Sequence, residues 1–241
     1  MHRMSIPTDK KIAIVTGASS GIGKATAGAL AQEGWHVIAA ARRTDKIQAV
    51  ADEIGGTAIE LDVTDQESVD KLAARVERVD LLVNNAGGAM GMDSIKDADL
   101  DDWQWMYDVN VLGTARMIKA LLDKLIASEG HIINIGSMAS FTPYAGGSGY
   151  NAAKFGEGAL TRVLRLEHVG DPVRVTQIDP GRVETDFSLV RFKGDQDKAA
   201  AVYADKLNLS AADVAESIRW VASQPKHVNI DHIHIMPRDQ A

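Results

Sequence analysis

Short apolar runs alternate along this chain with longer stretches in which apolar residues recur every three or four positions. Ile12 to Val15 is wholly apolar and short enough for a buried strand, and the glycine-rich stretch Thr16 to Gly23 follows it at once. Lys24 to Glu33 has helical period, with Gly34 as a C-terminal stop. The alternation continues with a strand over His36–Ala41, a helix over Asp45–Ile54, a strand over Ala58–Leu61, a helix over Ser68–Val79 and a strand over Leu81–Val83. Beyond these the pattern predicts one long helix over Asp102–Ile126, a strand over His131–Ile135 and a helix over Asn151–His168. A strand over Val173–Ile178, a helix over Ala211–Ala222 and a last strand over Ile233–Ile235 complete it. Strands separated by helices of about 10–15 residues build right-handed βαβ units and a parallel sheet. The fold class is therefore α/β, a doubly wound parallel sheet with helices on both faces. No linker or composition shift interrupts the run, so residues 1–241 read as one domain, with residues 1–10 as a flexible N-terminal extension.

Composition then narrows the function. The 241 residues include no cysteine, which excludes disulfides, thiolate metal sites and a cysteine nucleophile. A domain of this size buries roughly 70% of its unfolded surface and needs no covalent staple. With 26 basic against 33 acidic side chains the formal charge is −7, which argues against a nucleic-acid partner. There is no apolar run of about 18 residues to span a membrane. The opening MHRMSIPTDK lacks a signal-peptide core, so the cytoplasm is the expected location.

Open α/β sheets bind ligands beyond the carboxyl ends of their strands, and the informative residues cluster there. Thr16-Gly17-Ala18-Ser19-Ser20-Gly21-Ile22-Gly23 has the spacing G-x-x-x-G-x-G between a strand and a helix. Glycines at such a junction allow a tight turn and let backbone N–H groups approach a pyrophosphate. No Lys-Ser/Thr pair follows the last glycine, which disfavours a nucleoside triphosphate. The second strand ends Ala39-Ala40-Ala41-Arg42-Arg43, where an NAD-binding chain would carry an acidic residue for the ribose 2′-hydroxyl. A small residue and two guanidinium groups leave room and charge for a 2′-phosphate, which favours NADP(H) over a solvated surface pair. Asp62, after the third strand, can accept a bond from an adenine amino group, and Asn84-Asn85-Ala86-Gly87 closes the cleft after the fourth.

Tyr150 and Lys154 are four residues apart on one predicted helix, so the ammonium can lie near the phenol. A phenol titrates near pH 10 when unperturbed, and a fixed cation favours the phenolate. That would make Tyr150 a proton donor to a carbonyl, or an acceptor from an alcohol, near neutral pH. Y-x-x-x-K alone occurs by chance in many helices. Ser137 adds weight, because it follows the strand His131–Ile135 at the ligand-binding edge. Asn110 is a poor helix former in the middle of a helical stretch, either a satisfied buried amide or a functional group.

Together these segments resemble the classical short-chain dehydrogenase/reductase family over nearly the whole chain. The matching pieces are TGASSGIG (16–23), LDV (61–63), NNAG (84–87), VNV (109–111), IGSMAS (135–140), YNAAK (150–154) and DPG (179–181). The resemblance implies a Rossmann fold and a catalytic tetrad of Asn110, Ser137, Tyr150 and Lys154. In it Tyr150 is the general acid/base, and Ser137 positions the carbonyl. Lys154 holds the nicotinamide ribose and lowers the tyrosine pKa, and Asn110 anchors a water of a proton relay. It further implies cofactor contacts from Gly17, Ser19, Ser20, Gly21, Ile22, Gly23, Arg42, Arg43, Asp62, Val63, Asn85, Ala86, Gly87, Tyr150 and Lys154. Pro180, Gly181, Val183 and Thr185 would lie at the nicotinamide amide. Ser20 departs from the pattern, since many NADP-dependent members carry a basic residue there. The cofactor preference therefore rests on Arg42 and Arg43. The family also places the helices Asp102–Ile126 and Asn151–His168 at a subunit contact, implying a homotetramer.

Three strips, PYAGGSGYNAAKF (143–155), SLVRFKGD (188–195) and PKHVNI (225–230), are similar to one branch of the family. That branch comprises NADP-dependent serine, allo-threonine and 3-hydroxy acid dehydrogenases. It implies a small 3-hydroxy acid, or the matching semialdehyde or 3-oxo acid, bound by Ser137, Tyr150 and Arg191. Arg182, Arg191 and Lys193 surround the expected substrate loop, where each is either a carboxylate clamp or a solvated charge. The alternatives are a reductase of a bulkier ketone or 3-oxoacyl thioester, and an NADP-sensing module without turnover. Met90 and Met92 are assigned to the substrate mouth or to structure, and Trp103, Trp105 and Met106 to packing or a subunit contact. His232 and His234 share a strand face, but the sequence offers no recognisable third ligand, so no metal is expected.

Overall fold

The structure is a computed structural model that describes residues 6, 7 and 9–240. Seven strands run β1 (Ile12–Thr16), β2 (His36–Ala41), β3 (Thr57–Glu60), β4 (Leu81–Asn84), β5 (His131–Ile135), β6 (Arg174–Pro180) and β7 (His232–Ile235). They form one parallel sheet in the order β3-β2-β1-β4-β5-β6-β7. The helices are α1 (Gly21–Gln32), α2 (Thr44–Ile54), α3 (Gln66–Arg75), α4 (Leu100–Tyr107), α5 (Gly113–Ala127), α6 (Ser148–Glu167), α7 (Phe187–Arg191), α8 (Gln196–Tyr203) and α9 (Ala211–Ser223). This is the doubly wound, single-domain Rossmann-like fold expected from the alternation. Residues 1–5 and 8 of the expected N-terminal extension lie outside the described residues, whereas Ile6 packs against the core.

Each central strand is apolar on both sides because each side meets a helical layer. Ile12 and Ile14 of β1 face a core shared with Val69 and Leu72 of α3, Met117 and Leu121 of α5 and Leu164 of α6. Ala13 and Val15 face the opposite layer, packed with Leu30 of α1, Val50 of α2 and Val214 and Ile218 of α9. One residue of strand register thus decides which layer a side chain enters. Among the described residues, no helix is long and apolar enough to cross a membrane.

Four elements differ from the pattern's forecast. The predicted helix Asp102–Ile126 is two helices joined by a π-helical turn over Asp108–Leu112, with Asn110 at its centre. Its side chain bonds the Met106 carbonyl four residues back (2.7 Å), as well as Gly88, so the widened turn keeps its polar groups satisfied. The helix expected to reach Val79 stops at Arg75. There Lys124 Nζ donates to the carbonyls of Ala73 (2.5 Å) and Val76 (2.8 Å), and Arg78 pairs with buried Asp80 (2.6 Å) to turn the chain into β4. Val76 and Val79 are buried in the connection, not on a helical face. Helices α7 and α8, absent from the pattern, are only five and eight residues long.

His131 opens β5 with Nε2 2.8 Å from Thr176 Oγ1 on β6 and, among the described residues, no partner at Nδ1. Burial, with the Arg174 charge beside it, holds this imidazole well below its ordinary 6.5. The folded state therefore refuses a proton that the unfolded chain accepts below about pH 6.5. Stability from this group is complete above that pH and is lost as pH falls. The melting temperature should decline from about pH 7 to pH 5, and His131→Gln should reduce the decline while starting lower. Equal pH slopes in both proteins would show that His131 does not carry the effect.

Candidate active site

Strand order reverses between β1 and β4, so a crevice opens beyond their carboxyl ends. The glycine-rich loop there holds Gly17 at φ +66° and Gly21 at φ +53°, where a side chain would strain the backbone. A Cβ on Gly17 would meet Asn85 Nδ2 at 2.8 Å, and one on Gly23 would strike the Gly17 carbonyl. Asn85 needs this proximity. Its Nδ2 donates to the Thr16 carbonyl (2.9 Å), while the Asn85 and Ala86 N–H groups donate to Thr16 Oγ1 (3.0 and 2.9 Å). The segment after β4 is thereby fastened to the glycine loop, and Gly87 lies against Asn110 Oδ1. Ser20 caps α1 without a side-chain bond, leaving the helix's first N–H groups to an anion. Ile22 packs its side chain into the core below.

The Ser20 hydroxyl has another partner. Arg43 NH2 donates to Ser19 Oγ and Ser20 Oγ, both at 2.7 Å. A guanidinium reaching across from the end of β2 thus occupies the place where the family pattern expects a basic loop residue. Arg42 is exposed beside it, and Ala41 is small. Asp62 Oδ1 accepts from the Thr64 N–H and hydroxyl (3.0 and 2.7 Å). Burial raises its pKa, but the Thr64 bonds and the Arg42 and Arg116 charges outweigh that and hold it below the ordinary carboxylate value. The Val63 carbonyl accepts from Arg116 (3.2 Å). Past β6, Gly181 N–H bonds the Ile235 carbonyl (2.8 Å) after Pro180, Val183 bridges Leu209, and Thr185 comes back beside Gly21.

Tyr150 sits in the first turn of α6, 7% exposed, with Phe187 tilted against its ring at 5.6 Å. Ser137, directly after β5, starts a single 3₁₀ turn over Met138–Ser140, and its hydroxyl accepts from the Ala139 N–H (3.1 Å). The Ser137 N–H donates to Asp179 Oδ1 (2.8 Å). A Cβ on Gly136 would strike that same oxygen, so only glycine lets the carboxylate lie so close. Lys154 Nζ donates to the Ile135 carbonyl (2.9 Å) and pairs with Glu157 Oε2 (2.6 Å), and Glu157 Oε1 accepts from Thr114 Oγ1 (3.2 Å). Both members of this ion pair are buried.

The four expected catalytic residues therefore converge, but the expected tyrosine shift is corrected. Burial raises the phenol pKa above its ordinary 10 and outweighs the lowering by Lys154 and Ser137. Lys154 is charged but its field is partly cancelled by Glu157. Burial lowers the lysine pKa, yet the Glu157 and Tyr150 interactions leave it raised. Burial likewise outweighs Lys154 in raising Glu157. Glu157, Thr114 and Asp179 escaped the sequence reading. Glu157 had a legible signal, since a residue three positions after Lys154 shares its helical face.

Beside Tyr150 a recess is lined by Met90, Trp103, Met106, Arg191, Asp93 and Asp99. Arg191 is 8% exposed, with its guanidinium carbon 5.6 Å from the Tyr150 ring centroid. It is fixed by the Gly91 carbonyl (3.0 Å) and the Tyr144 hydroxyl (2.9 Å). The other two cations are engaged elsewhere, Arg182 with Asn208 and Asp239 and Lys193 with Asp102. Trp103 and Met106 both pack and line the recess, Trp105 packs only, and Met92 is exposed.

Residues 11–195 match the family model described as short chain dehydrogenase. An uncharacterized oxidoreductase of Mycobacterium tuberculosis is 59% identical over 238 residues, 98% of this chain and 95% of that protein. An NADP-dependent 3-hydroxy acid dehydrogenase of Salmonella typhi is 40% identical, covering 95% of this chain and 96% of that one. Among solved structures, a serine dehydrogenase in its closed form complexed with NADP+ superposes with a TM-score of 0.93 at 40% identity. That match covers 95% of this chain and 96% of the other.

The Lys154–Glu157 pair generates a stability prediction. Removing one partner of a buried ion pair leaves an uncompensated charge and typically costs about 3–5 kcal/mol. Glu157→Leu should lower the melting temperature by about 6–20 °C for a chain of this size. A drop under about 2 °C would mean that Lys154 finds another counter-charge or loses its proton.

Proposed function

The chain belongs to the short-chain dehydrogenase family, and from that premise we propose that it is an NADP-dependent oxidoreductase acting on the CH–OH group of a small 3-hydroxy acid. The substrate class is that of serine, allo-threonine and 3-hydroxypropionate, or the corresponding semialdehyde or 3-oxo acid. The observation that carries the substrate reading is Arg191, a nearly buried guanidinium lying over the recess side of the Tyr150 ring. It is positioned for a carboxylate beside the reacting carbon, and a bidentate fork suits that group. Asp93, Asp99 and Asp102 share the lining, so Arg191 is the lining group that offers a small acid's carboxylate a partner. The intact set of Asn110, Ser137, Tyr150 and Lys154 supports turnover over a sensing role.

The cofactor reading has its own support in the crevice. Uncapped N–H groups at the start of α1 and the glycine loop fit a pyrophosphate, and the Arg42–Arg43 pair fits a 2′-phosphate. Asp62 and Val63, Asn85 to Gly87, and the segment from Pro180 to Thr185 rim the same crevice. When bound, NADP(H) supplies or takes up the hydride. Ser137 Oγ then holds the substrate oxygen. Tyr150 Oη gives its proton to that oxygen as a carbonyl is reduced, and takes it back as an alcohol is oxidised. Its raised pKa keeps the phenol protonated at neutral pH. Lys154 stays charged next to it, positioned for the nicotinamide ribose. Asn110 pins the Gly88 backbone with its amide. The assembly we propose is a homotetramer in the cytoplasm. Exposed Tyr107 and Leu112, with Phe155, Val163 and Leu166 of α6, supply the apolar contact surface.

Tyr150→Phe should abolish turnover of small 3-hydroxy acids, followed by NADPH absorbance, while leaving NADPH binding nearly intact. Near wild-type turnover would sink the mechanism. A wild-type panel that favours bulky ketones or thioesters over hydroxy acids would instead sink the substrate class.

The arginines predict cofactor choice. A charge-assisted hydrogen bond contributes about 1.5–3 kcal/mol, so one arginine gives roughly ten- to a hundredfold preference for NADP(H), reduced by salt screening. Ala41→Asp with Arg42→Ala should move the kcat/KM ratio toward NAD(H). Equal efficiency with both cofactors in the parent protein, at fixed ionic strength, would show that the arginines are ordinary surface charges.

A further inference from the structure

We propose that Asp179, His232 and His234 form a binding site for a divalent transition-metal ion of the zinc class, joining the edge strand β7 to β6. The three side chains come from neighbouring strands in parallel register, with Gln177 opposite His232 and Asp179 opposite His234. Their ligand atoms all lie within 4.8 Å of one another. Asp179 is fully buried, while the two imidazoles are 43% exposed and open to solvent on one side. This third ligand was invisible in the sequence, because it lies 53 residues before His232.

Hydrogen bonding alone satisfies the arrangement poorly. His232 Nε2 faces two partners, Asp179 Oδ2 at 2.5 Å and His234 Nε2 at 2.9 Å. An imidazole nitrogen has one in-plane position, filled by either a hydrogen or a lone pair. A hydrogen there serves the carboxylate and reaches the second imidazole only as the weaker limb of a three-centre bond. A lone pair there accepts from His234 and turns against the carboxylate. One cation accepting a lone pair from each of the three atoms satisfies every contact. The remaining edge, His234 Nε2 to Asp179 Oδ2, is 3.8 Å. A triangle with these edges has a circumscribed radius of about 1.9 Å, so an ion just above its plane reaches all three atoms near the 2.0–2.2 Å typical of zinc bonds, the two short edges opening toward tetrahedral spacing as it enters.

The donor set also selects the class of ion. Two imidazole nitrogens with one carboxylate suit zinc and its neighbours in the transition series, whereas magnesium and calcium prefer oxygen alone. Three protein ligands leave the solvent side for water. The surroundings orient the donors. Phe141 stacks on the His234 ring at 4.1 Å and 7°, and Gln177 Nε2 donates to both Asp179 oxygens (2.9 and 3.0 Å). Asp179 Oδ1 meanwhile holds the Ser137 N–H and the Ser140 hydroxyl, so one carboxylate would connect the ion to the turn that carries Ser137. The site does not depend on which substrate or cofactor the crevice takes.

The test uses the full-length, untagged, metal-stripped chain with zinc chloride and, separately, cobalt chloride. Calorimetry should find one zinc per chain with micromolar or tighter affinity, and cobalt should give the visible absorption of a low-coordinate nitrogen–oxygen site. Zinc should also raise the melting temperature, because an ion that binds only the folded state stabilises it. His232→Ala/His234→Ala, a change confined to half-exposed side chains, should lose the cobalt bands and the thermal shift and weaken zinc at least about a hundredfold. His234→Gln alone, which keeps the stacked position filled, should weaken zinc in the same direction. No saturable binding by the parent chain overturns the proposal. So does zinc binding that is equal in the parent and the double variant, which would place the ion elsewhere.

Discussion

A lysine ammonium buried between α6 and the end of β5 has to be kept charged, and much of this site is arranged around that requirement. Taking an ammonium out of water costs several kcal/mol unless nearly every donor finds a partner. Lys154 meets the cost with the Ile135 carbonyl, whose strand ends beside it, and with Glu157 one helical turn onward. Glu157 is in turn held by Thr114 of α5, so the charge ties together one strand and two helices. The arrangement limits what Lys154 does to Tyr150. A cation already matched by a carboxylate exerts a weaker field on the phenol, and burial decides the direction of its shift.

The cofactor end of the crevice follows a different rule, in which close backbone approach matters more than charge. The loop after β1 and the loop after β4 are pressed together until only glycine fits at positions 17 and 23. Thr16 uses that closeness to accept three hydrogen bonds, two from Asn85 and one from Ala86. Charge enters only at the rim, where Arg43 leans over the loop onto Ser19 and Ser20. A guanidinium contributed by the turn between β2 and α2 thus reaches the position of a basic loop residue, so the chain departs from the family pattern at Ser20 without losing positive charge there.

At the substrate end, three cations that look equivalent in sequence have separate fates. Arg182 is consumed in holding the chain near Asp239, Lys193 pairs on the surface with Asp102, and Arg191 alone turns into the recess next to Tyr150. Their order along the chain carries no trace of this division, because α7 is a five-residue helix whose direction is set by what it packs on. The same holds for Asn110. Its poor helix propensity marked position 110 as irregular, but a π-helical turn and bonds to Gly88 and Met106 are products of packing between α4, α5 and the loop after β4.

The sequence by itself determined the layered sheet, the glycine loop, the Tyr150–Lys154 spacing and the placement of chemistry beyond strand ends. Those features depend on local periodicity, on glycine's freedom at positive φ and on residues within one or two turns of each other. It also carried the strands to within a residue or two, since short apolar runs bounded by turns have few alternatives. Tertiary structure decided what depends on residues distant in the chain. It split the long helix, ended α3 at Arg75 through a lysine 49 residues away from that segment's Arg75, and set the net shift of Tyr150 through burial. It also brought Asp179 up to His232 and His234, because only sheet register makes neighbours of residues that lie on separate strands.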